Sequence, residues 1–372
     1  MSTEPENPDQ PADLLVDIGE GRSYPIRYVP DTPGTIRRLV ETHAQKKAKL
    51  AIVTDINLEH AYQELFDNLP EEVPTFIVSP GETAKSLQKL GQIWDFLASI
   101  HLDRKGTLVA FGGGVIGDLC GFAAASYLRG VNYYQIPTTL LAMVDSSIGG
   151  KTGINIQAGK NLVGAFYHPQ EVLIDTTLLK TLPEREFAAG MAEVIKYGML
   201  GDKKLFEDLE SLDTLHPGHP RLPSVIRRCC EIKARIVKED ERENSAEGGR
   251  ALLNLGHTYA HAIEQVAGYG SYLHGEAVAI GLYAASEMSA RQGCFPKEDV
   301  PRVTQILQRY NLPSRLGSTL PSTKLLEAMK RDKKARQGNV RFVAMEVIGK
   351  SFTTQDISPE TVSACLEAIG AN

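Results

Sequence analysis

Two histidines lie four residues apart in the stretch LNLGHTYAHAIE, residues 253–264. On a helix this spacing puts His257 and His261 on one face, as in the metal-binding helix of zinc metalloproteases. Such a protease also needs a glutamate directly after the first histidine, and here Thr258 follows His257. The pattern argues against a metalloprotease. It leaves two interpretations open: structural histidines packed in a core, or a metal site of another kind.

A third histidine and a glutamate complete a candidate metal site. His274 begins the segment HGEAVAIG, and Glu193 lies in AEVIKYG, three residues before Lys196. The apolar neighbours of Glu193 predict a carboxylate that is not freely solvated, which requires a cation or a metal. Two histidines from separate helices and a carboxylate from a third match the three-ligand layout of catalytic zinc. A surface ion pair between Glu193 and Lys196 is the alternative interpretation.

A glycine-rich turn, FGGGVIGDLCGF, follows a predicted strand and opens a predicted helix. The pattern Gly112-x-Gly114-x-x-Gly117 lets the backbone approach a pyrophosphate, which the helix N-terminus attracts. The acidic residue that usually follows about 20 positions later is missing, because that region reads IPTT. Asp55 and Glu82, at the ends of other predicted strands, are candidates for its ribose-binding role. A turn that uses glycine only for close packing is the alternative.

The segment MVDSSIGGKTGINIQAGKNLVGAF, residues 143–166, shows neither helical nor strand periodicity. We therefore predict a long irregular segment, and such segments in compact proteins tend to be functional. Its two lysines, Lys151 and Lys160, lie beside glycines and suit a phosphate or another anion. A solvated surface loop is the alternative, although the interleaved isoleucines fit it poorly.

The remaining pattern predicts two domains. In the first half the apolar runs AIVTD, TFIVSP, TLVAFGGG and NYYQIPTT alternate with helical segments, which predicts a mostly parallel sheet that binds ligands at its carboxyl edge. Beyond residue 178 the patterns are helical until VRFVAMEVIG. We predict a disordered acidic tail over residues 1–13, an α/β nucleotide-binding domain over 14–177 and a helical metal- and substrate-binding domain over 178–372. The active site is expected in the cleft between the two domains.

Composition excludes several classes of protein. The net charge of −6 and the lack of aromatic residues around the basic run KRDKKAR predict no nucleic-acid partner. No apolar run approaches the roughly 18 residues of a membrane-spanning helix, so no membrane partner is expected. The five cysteines contain no CxxC pair, which predicts reduced thiols and a cytoplasmic protein.

Several long blocks resemble the 3-dehydroquinate synthase family of the sugar phosphate cyclases. The blocks are GGGVIGDLCGFAAASYLRG, PTTLLAMVDSSIGGKTGIN, GKNLVGAFYHP, LPEREFAAGMAEVIKYG, LLNLGHTYAHAIE and HGEAVAIG. The resemblance implies a dehydroquinate synthase-like fold, with an α/β domain and a helical domain enclosing NAD, a divalent metal (zinc or cobalt) and a phosphorylated seven-carbon keto acid. It also implies a homodimer and a carbon–oxygen lyase of the shikimate pathway of aromatic amino acid biosynthesis.

The resemblance also implies site residues. The implied metal ligands are Glu193, His257 and His274, with His261 off the metal and facing the substrate. The implied NAD contacts are Asp55, Glu82, Lys85, Gly114, Val115, Ile116, Gly117, Asp118, Thr138, Thr139, Lys151, Lys160 and Thr181. The implied catalytic and substrate-binding residues are Arg129, Asp145, Lys151, Asn161, Lys196, Lys233, Arg250, Asn254, His261 and Lys334. Arg129 is expected to reach the substrate phosphate across a dimer interface.

The family reaction oxidises its substrate, eliminates phosphate, reduces the ketone formed in the first step, opens the ring and closes a new one by aldol addition. Because the hydride taken in the oxidation returns in the reduction, NAD is not consumed. A cyclase of sedoheptulose 7-phosphate is one alternative, which Arg250, Asn254 and His261 disfavour. A metal-dependent alcohol dehydrogenase is another, and it has no need for so many cationic side chains. A non-catalytic binding module is a third. The chain departs from the family in its N-terminal tail and in a longer loop over residues 240–250.

Overall fold

The structure is a computed structural model that describes residues 11–70, 73–245, 248–268, 270–335 and 341–372, with the side chains of 331–335 outside the description. The predicted disordered tail lies almost entirely outside the described residues, which begin at Pro11. The described chain forms two compact units. The first reaches Leu182 and includes Pro220–Ala234, and the second contains Pro183–His219 and Arg235–Asn372.

The first unit is an α/β unit built on a seven-stranded sheet. Its strands and those of a separate hairpin are β1 Leu14–Asp17, β2 Ser23–Tyr28, β3 Leu50–Asp55, β4 Thr75–Val78, β5 Thr107–Gly112, β6 Asn132–Pro137, β7 Lys151–Ile156, β8 Gly159–Phe166 and β9 Glu171–Ile174. Its helices before residue 182 are α1 Thr32–Gln45, α2 Ile56–Ala61, α3 Gln63–Asp67, α4 Leu87–Ser99 and α5 Gly114–Ser126. The sheet order is β1-β2-β9-β6-β5-β3-β4, and all pairs except β1–β2 are parallel. The predicted parallel sheet is confirmed.

The central strands β3 and β5 are mostly apolar and buried, as is usual for parallel strands covered on both faces. Every residue of β5 is buried, and so are the first five of β3. Leu90, Ile93 and Leu97 follow one face of α4 and pack into the same core. Because the strands run parallel, their carboxyl ends lie at one edge of the sheet, as the sequence predicts.

The segment 143–166 is more regular than its sequence suggests, so the prediction of a long irregular segment is wrong. It begins with a π-helical turn, Ala142–Ser146, and continues as the antiparallel hairpin β7–β8. A Cβ at Gly164 would lie 1.9 Å from the Thr152 carbonyl oxygen, so this glycine is what lets the two strands approach. Glycine and polar residues at such positions remove the apolar alternation by which a strand is recognised.

The second unit is mainly helical, as predicted. Its elements, with the helix α8 that begins in the first unit, are α6 Glu184–Gly201, α7 Lys203–Ser211, α8 Leu222–Glu239, α9 His257–Ala267, α10 His274–Arg291, α11 Val300–Arg309, α12 Ser322–Ala335, α13 Pro359–Ala368 and the hairpin of β10 Phe342–Val347 and β11 Lys350–Thr354. Residues 220–234 group with the first unit because Cys230 and Lys233 donate hydrogen bonds to Met143 and Asp145 there. None of the described helices combines the length and apolar character needed to span a bilayer.

Candidate metal and nucleotide sites

Three side chains in the second unit converge on one point. The Nε2 atoms of His257 and His274 each lie 3.6 Å from Oε1 of Glu193. One ligand atom from each of the three residues lies within 4.8 Å of the others. Ligands about 2.0–2.1 Å from a tetrahedral ion lie about 3.3 Å apart, so this spacing fits a divalent metal such as zinc.

Close packing of three helices brings these residues together. A Cβ at Gly275, directly after His274, would lie 1.8 Å from the Ala189 carbonyl oxygen of α6. A Cβ at Gly281 in α10 would lie 2.1 Å from the Gly256 carbonyl oxygen at the start of α9. Glycine at both positions therefore lets α10 touch α6 and α9, and the first residues of α9 and α10 meet the middle of α6, where Glu193 lies.

The second ring nitrogen of each histidine also has a partner. Nδ1 of His257 lies 3.2 Å from the Leu255 carbonyl oxygen, and Nδ1 of His274 lies 3.4 Å from Oε2 of Glu264. Such partners hold the ring in the tautomer that turns the Nε2 lone pair toward a metal. Glu264 was not predicted as a site residue. Its position seven residues after His257, on the same helix face, was the available signal.

The electrostatics of the cluster are dominated by burial and by paired charges. Burial, aided by Lys196 and the two neighbouring histidines, holds the pKa of His257 well below its usual value, so this imidazole is neutral. Burial also lowers the pKa of His274, but hydrogen bonds to Glu193 and Glu264 outweigh it and raise that pKa to about 10. The carboxylates that stabilise a proton on His274 would equally stabilise a divalent cation, which displaces the proton on binding.

Lys196 is buried, and its Nζ lies 2.5 Å from Oε2 of Glu193, so the alternative of an exposed surface pair is wrong. The glutamate therefore offers one oxygen to the histidines and the other to a lysine. His261 lies beside the cluster, with its ring centroid 5.5 Å from that of His257 and 6.3 Å from that of His274.

The loop before α9 positions two further predicted residues. The Arg250 side chain is buried, and its Nη1 donates to the Glu241 carbonyl oxygen at 2.6 Å. Asn254 donates from Nδ2 to Oε1 of Glu243 at 3.2 Å. Asp240 accepts the backbone N–H of Arg250, at the far end of the loop. The loop over residues 240–250 thus supplies acceptors for both side chains.

In the first unit, predicted nucleotide-binding residues line the carboxyl edge of the sheet. Asp55 ends β3, where its carboxylate accepts two N–H groups as the N-cap of α2. Thr138 and Thr139 follow β6, and the Thr139 hydroxyl accepts the N–H of Ala142. Thr181 lies further along the chain and shares a hydrogen bond with the Tyr62 hydroxyl at 3.0 Å.

The glycine-rich turn has the predicted strand–turn–helix form. The helix α5 begins at Gly114, its N-cap is Gly113, and no side chain from the described part of the chain caps it. A Cβ at Gly112 would lie 2.5 Å from the Ile116 side chain, and one at Gly117 would lie 2.8 Å from Oε1 of Gln135. Packing within the chain therefore explains these two glycines. The first-turn N–H groups are left to bind an anion.

Four predicted residues from three segments of the chain form a charged cluster. Nζ of the buried Lys85 donates to Oδ2 of Asp118 at 2.6 Å and to Oδ1 of Asn161 at 2.5 Å, and it lies 3.7 Å from Oε1 of Glu82. Burial lowers the pKa of Lys85, but Asp118 and Glu82 raise it by more, so the ammonium keeps its proton. A cation at this position fixes the geometry of three potential ligand-binding groups.

The remaining predicted residues lie in both units. Lys233 donates to the side chain and the backbone carbonyl of Asp145. Arg129 is exposed, on a turn with a positive φ of 68°. Lys151 is the first residue of β7, and Lys160 is the second residue of β8. Val115 lies in the first turn of α5. Lys334 lies in the last turn of α12, and its side chain is outside the described residues.

The α/β unit and the helical unit together have the fold of the dehydroquinate synthase-like cyclases. A solved 2-epi-5-epi-valiolone synthase from Streptomyces hygroscopicus, with NAD⁺ and Zn²⁺ bound, superposes with a TM-score of 0.85 at 27% identity, over 95% of this chain and 98% of that one. A 2-deoxy-scyllo-inosose synthase complexed with carbaglucose-6-phosphate, NAD⁺ and Co²⁺ shares the fold with a TM-score of 0.81 at 24% identity, over 96% and 99% of the chains.

The sequence comparisons narrow this class. Models of the N-terminal and C-terminal domains of 3-dehydroquinate synthase match residues 75–189 and 190–335. A 3-dehydroquinate synthase from Opitutus terrae is 52% identical over 362 residues, which cover 97% of this chain and all of the relative. The chain therefore belongs to the 3-dehydroquinate synthase family, and the predicted resemblance is confirmed.

Proposed function

We propose that this chain converts 3-deoxy-D-arabino-heptulosonate 7-phosphate into 3-dehydroquinate and phosphate, with NAD and a divalent metal as cofactors. The observation that carries the proposal is the convergence of Glu193, His257 and His274 in a chain 52% identical to a named 3-dehydroquinate synthase. This cluster fits a chemistry in which an alcohol is oxidised beside a Lewis acid.

The three residues of the cluster would hold the metal, which fits zinc or cobalt by donor type. One carboxylate and two neutral imidazoles leave positive charge on a divalent ion, which lowers the pKa of a bound hydroxyl. Lys196, paired with the second oxygen of Glu193, would hold that carboxylate in place. His261 lies one helical turn from His257 and is proposed to handle a proton near the substrate.

Glu264 provides a test of this metal site that does not depend on activity. Removing its hydrogen bond in Glu264→Ala frees the His274 ring, and we expect metal affinity to fall about 10- to 100-fold. Glu264→Gln keeps an acceptor and should lose less. Competition with a chelator measures the affinity, and the exposed Glu298→Ala in the same unit is the control. Unchanged affinity in Glu264→Ala contradicts this role.

NAD is proposed to bind at the carboxyl edge of the first unit's sheet and to accept and return a hydride. The uncapped start of α5 would bind the pyrophosphate through the backbone N–H groups of its first residues, within proposed contacts that run from Gly114 to Asp118; the N–H of Gly117 itself donates to the Gly113 carbonyl oxygen. The Ile116 side chain is buried in the core, so its contribution would come from the backbone. The remaining proposed contacts are Asp55, Glu82, Lys85, Thr138, Thr139, Lys151, Lys160 and Thr181.

The substrate is proposed to be held at its two anionic ends. Lys151, Asn161, Lys196, Asn254 and Arg129 would bind the phosphate and stabilise its charge as it leaves. Arg250 and Lys233 would bind the carboxylate, since a guanidinium offers it two parallel hydrogen bonds. Asp145, which pairs with Lys233, would set the position of that lysine. Arg129 as a contribution from a second subunit, the homodimer and the cytoplasmic location stay predictions.

Phosphate release by the purified protein tests the proposal. We expect release from 3-deoxy-D-arabino-heptulosonate 7-phosphate only when NAD and zinc or cobalt are both present, without accumulation of NADH. The control substrate is sedoheptulose 7-phosphate, which lacks the carboxylate and should release no phosphate. Release from the control substrate, or a steady rise in NADH absorbance, contradicts the proposal and supports one of the two alternative activities.

A further inference from the structure

Asn155 belongs neither to the metal cluster nor to the proposed NAD and substrate contacts. It is hydrogen-bonded to one proposed NAD contact, Glu82, and to one proposed substrate contact, Asn161. It is in β7, at the register shift between Ile154 and Ile156 in the hairpin β7–β8. Its backbone N–H donates to the Lys85 carbonyl oxygen at 2.8 Å, and it pairs in parallel with Ser86. Irregular positions of this kind in a β-ladder commonly redirect a side chain beside a functional site.

The side chain of Asn155 uses both ends of its amide. Nδ2 donates to Oε1 of Glu82 at 2.8 Å, and Oδ1 accepts the backbone N–H of Asn161 at 2.9 Å. Asn161 in turn accepts the Lys85 ammonium through its own Oδ1, and that ammonium lies 3.7 Å from the same Glu82 oxygen. The four residues therefore form a closed polar ring across the segment after β4 and both strands of the hairpin.

One member of the ring, Asn161, has a strained backbone. The backbone of Asn161 has φ +56°, a left-handed conformation that is uncommon outside glycine and needs support from its surroundings. The Asn155 side chain accepts a hydrogen bond from the backbone N–H of this strained residue. Because Lys85 binds the amide oxygen of Asn161, the amide nitrogen of this exposed residue is the end directed to a ligand.

We infer that Asn155 is a positioning residue that links Glu82, on the nucleotide side, to the conformation of Asn161, on the substrate side. The inference rests on the proposed function in that Asn161 binds the substrate phosphate. Asn155 touches neither ligand under this scheme. It holds the Asn161 backbone so that the amide N–H₂ donates in the direction in which the leaving phosphate needs it.

The test compares three variants at saturating NAD. Asn155→Ala removes both hydrogen bonds, and we expect kcat/KM for the keto acid to fall about 10- to 100-fold because a binding group is misplaced. Asn155→Asp keeps the acceptor but sets a carboxylate against Glu82, and a similar loss is expected from repulsion. The double variant Asn155→Asp/Glu82→Gln restores the hydrogen bond with donor and acceptor exchanged, and its kcat/KM should return to that of the single variant Glu82→Gln, the reference that accounts for any loss of NAD contacts at Glu82.

Two further measurements separate positioning from general damage. Hydrogen exchange of the hairpin peptide 151–166 should be faster in Asn155→Ala and should return toward the wild-type rate in the double variant. The NAD dissociation constant of Asn155→Ala should stay within about threefold of wild type if its unit is folded. The exposed Gln157→Ala, on the same hairpin, is the matched control and should change neither quantity.

The outcomes distinguish this inference from the proposed function. Wild-type protein that releases no phosphate from the keto acid contradicts the proposed function, whereas the exchange rates still test the ring. Active wild type with unchanged Asn155→Ala overturns the role of Asn155. Loss in Asn155→Asp without recovery of the double variant to the level of Glu82→Gln also overturns it, because the exchanged hydrogen bond should serve equally well. If Asn155→Ala does not fold, the comparison of Asn155→Asp with the double variant tests the role of Asn155.

Discussion

His257→Ala is expected to lose its metal and its activity together, whereas His261→Ala should keep the metal. Nε2 of His257 is one of the three donors around the proposed site, and the same ring approaches Glu193 at 3.6 Å. Even the partners of metal ligands are worth about 10- to 100-fold in affinity, so loss of a ligand should exceed about 100-fold. Metal analysis of purified variants, followed by phosphate release with added zinc or cobalt, measures both effects.

The pair His257 and His261 is a matched comparison, because both are histidines on the same face of α9. We expect near-normal metal content in His261→Ala together with a large fall in kcat, since a proton-handling group contributes about 10²- to 10⁴-fold. Normal metal content in His257→Ala contradicts the three-residue site. Metal loss in His261→Ala shows that the i,i+4 pair binds the metal jointly.

Arg250→Ala is expected to lower kcat/KM for the keto acid on the order of 10²- to 10³-fold, because it removes one partner of a buried charge–charge contact. The side chain is 3% exposed, and the Glu241 carbonyl oxygen fixes its Nη1. A buried guanidinium held in this way is suited to binding a planar carboxylate. Steady-state kinetics with the carboxylate substrate measure the loss.

Two control variants sharpen this experiment. Arg250→Lys keeps the charge but not the bidentate geometry, so an intermediate loss is expected. The exposed Arg235→Ala should be neutral. If kcat/KM of Arg250→Ala stays within about twofold of wild type, Arg250 does not bind the carboxylate. Metal content should be unchanged in every Arg250 variant, since Arg250 is not one of the three converging residues.

Local patterns predicted much of the fold. The strands that end near Asp55, Gly112 and Pro137 could be predicted because a strand buried on both faces is a short apolar run bounded by polar or glycine residues. The mainly helical second unit could be predicted from the 3.6-residue periodicity of its apolar residues. The hairpin β7–β8 was missed because its glycines serve close backbone approach and its large apolar residue Leu162 is 56% exposed.

The supporting residues of the sites were harder to predict than the residues they support. Asn155 and Glu264 have ordinary polar side chains, and their importance lies in the atoms that they contact. Asn155 donates a hydrogen bond to Glu82, a residue 73 positions away in the sequence. Glu264 acts on a histidine of a different helix. Contacts of this kind depend on distant parts of the chain and produce no periodic pattern in the sequence.

By itself the sequence determined the donor types of the metal cluster, because side-chain chemistry and the spacing within one helix are local properties. The helical spacing of Glu193 and Lys196 and that of His257 and His261 are of this kind. Only the tertiary structure decided that Glu193, His257 and His274 meet while His261 lies beside them. That convergence depends on the contacts of Gly275 and Gly281, which bring three helices together. Such close packing is a property of the folded chain and not of any one segment.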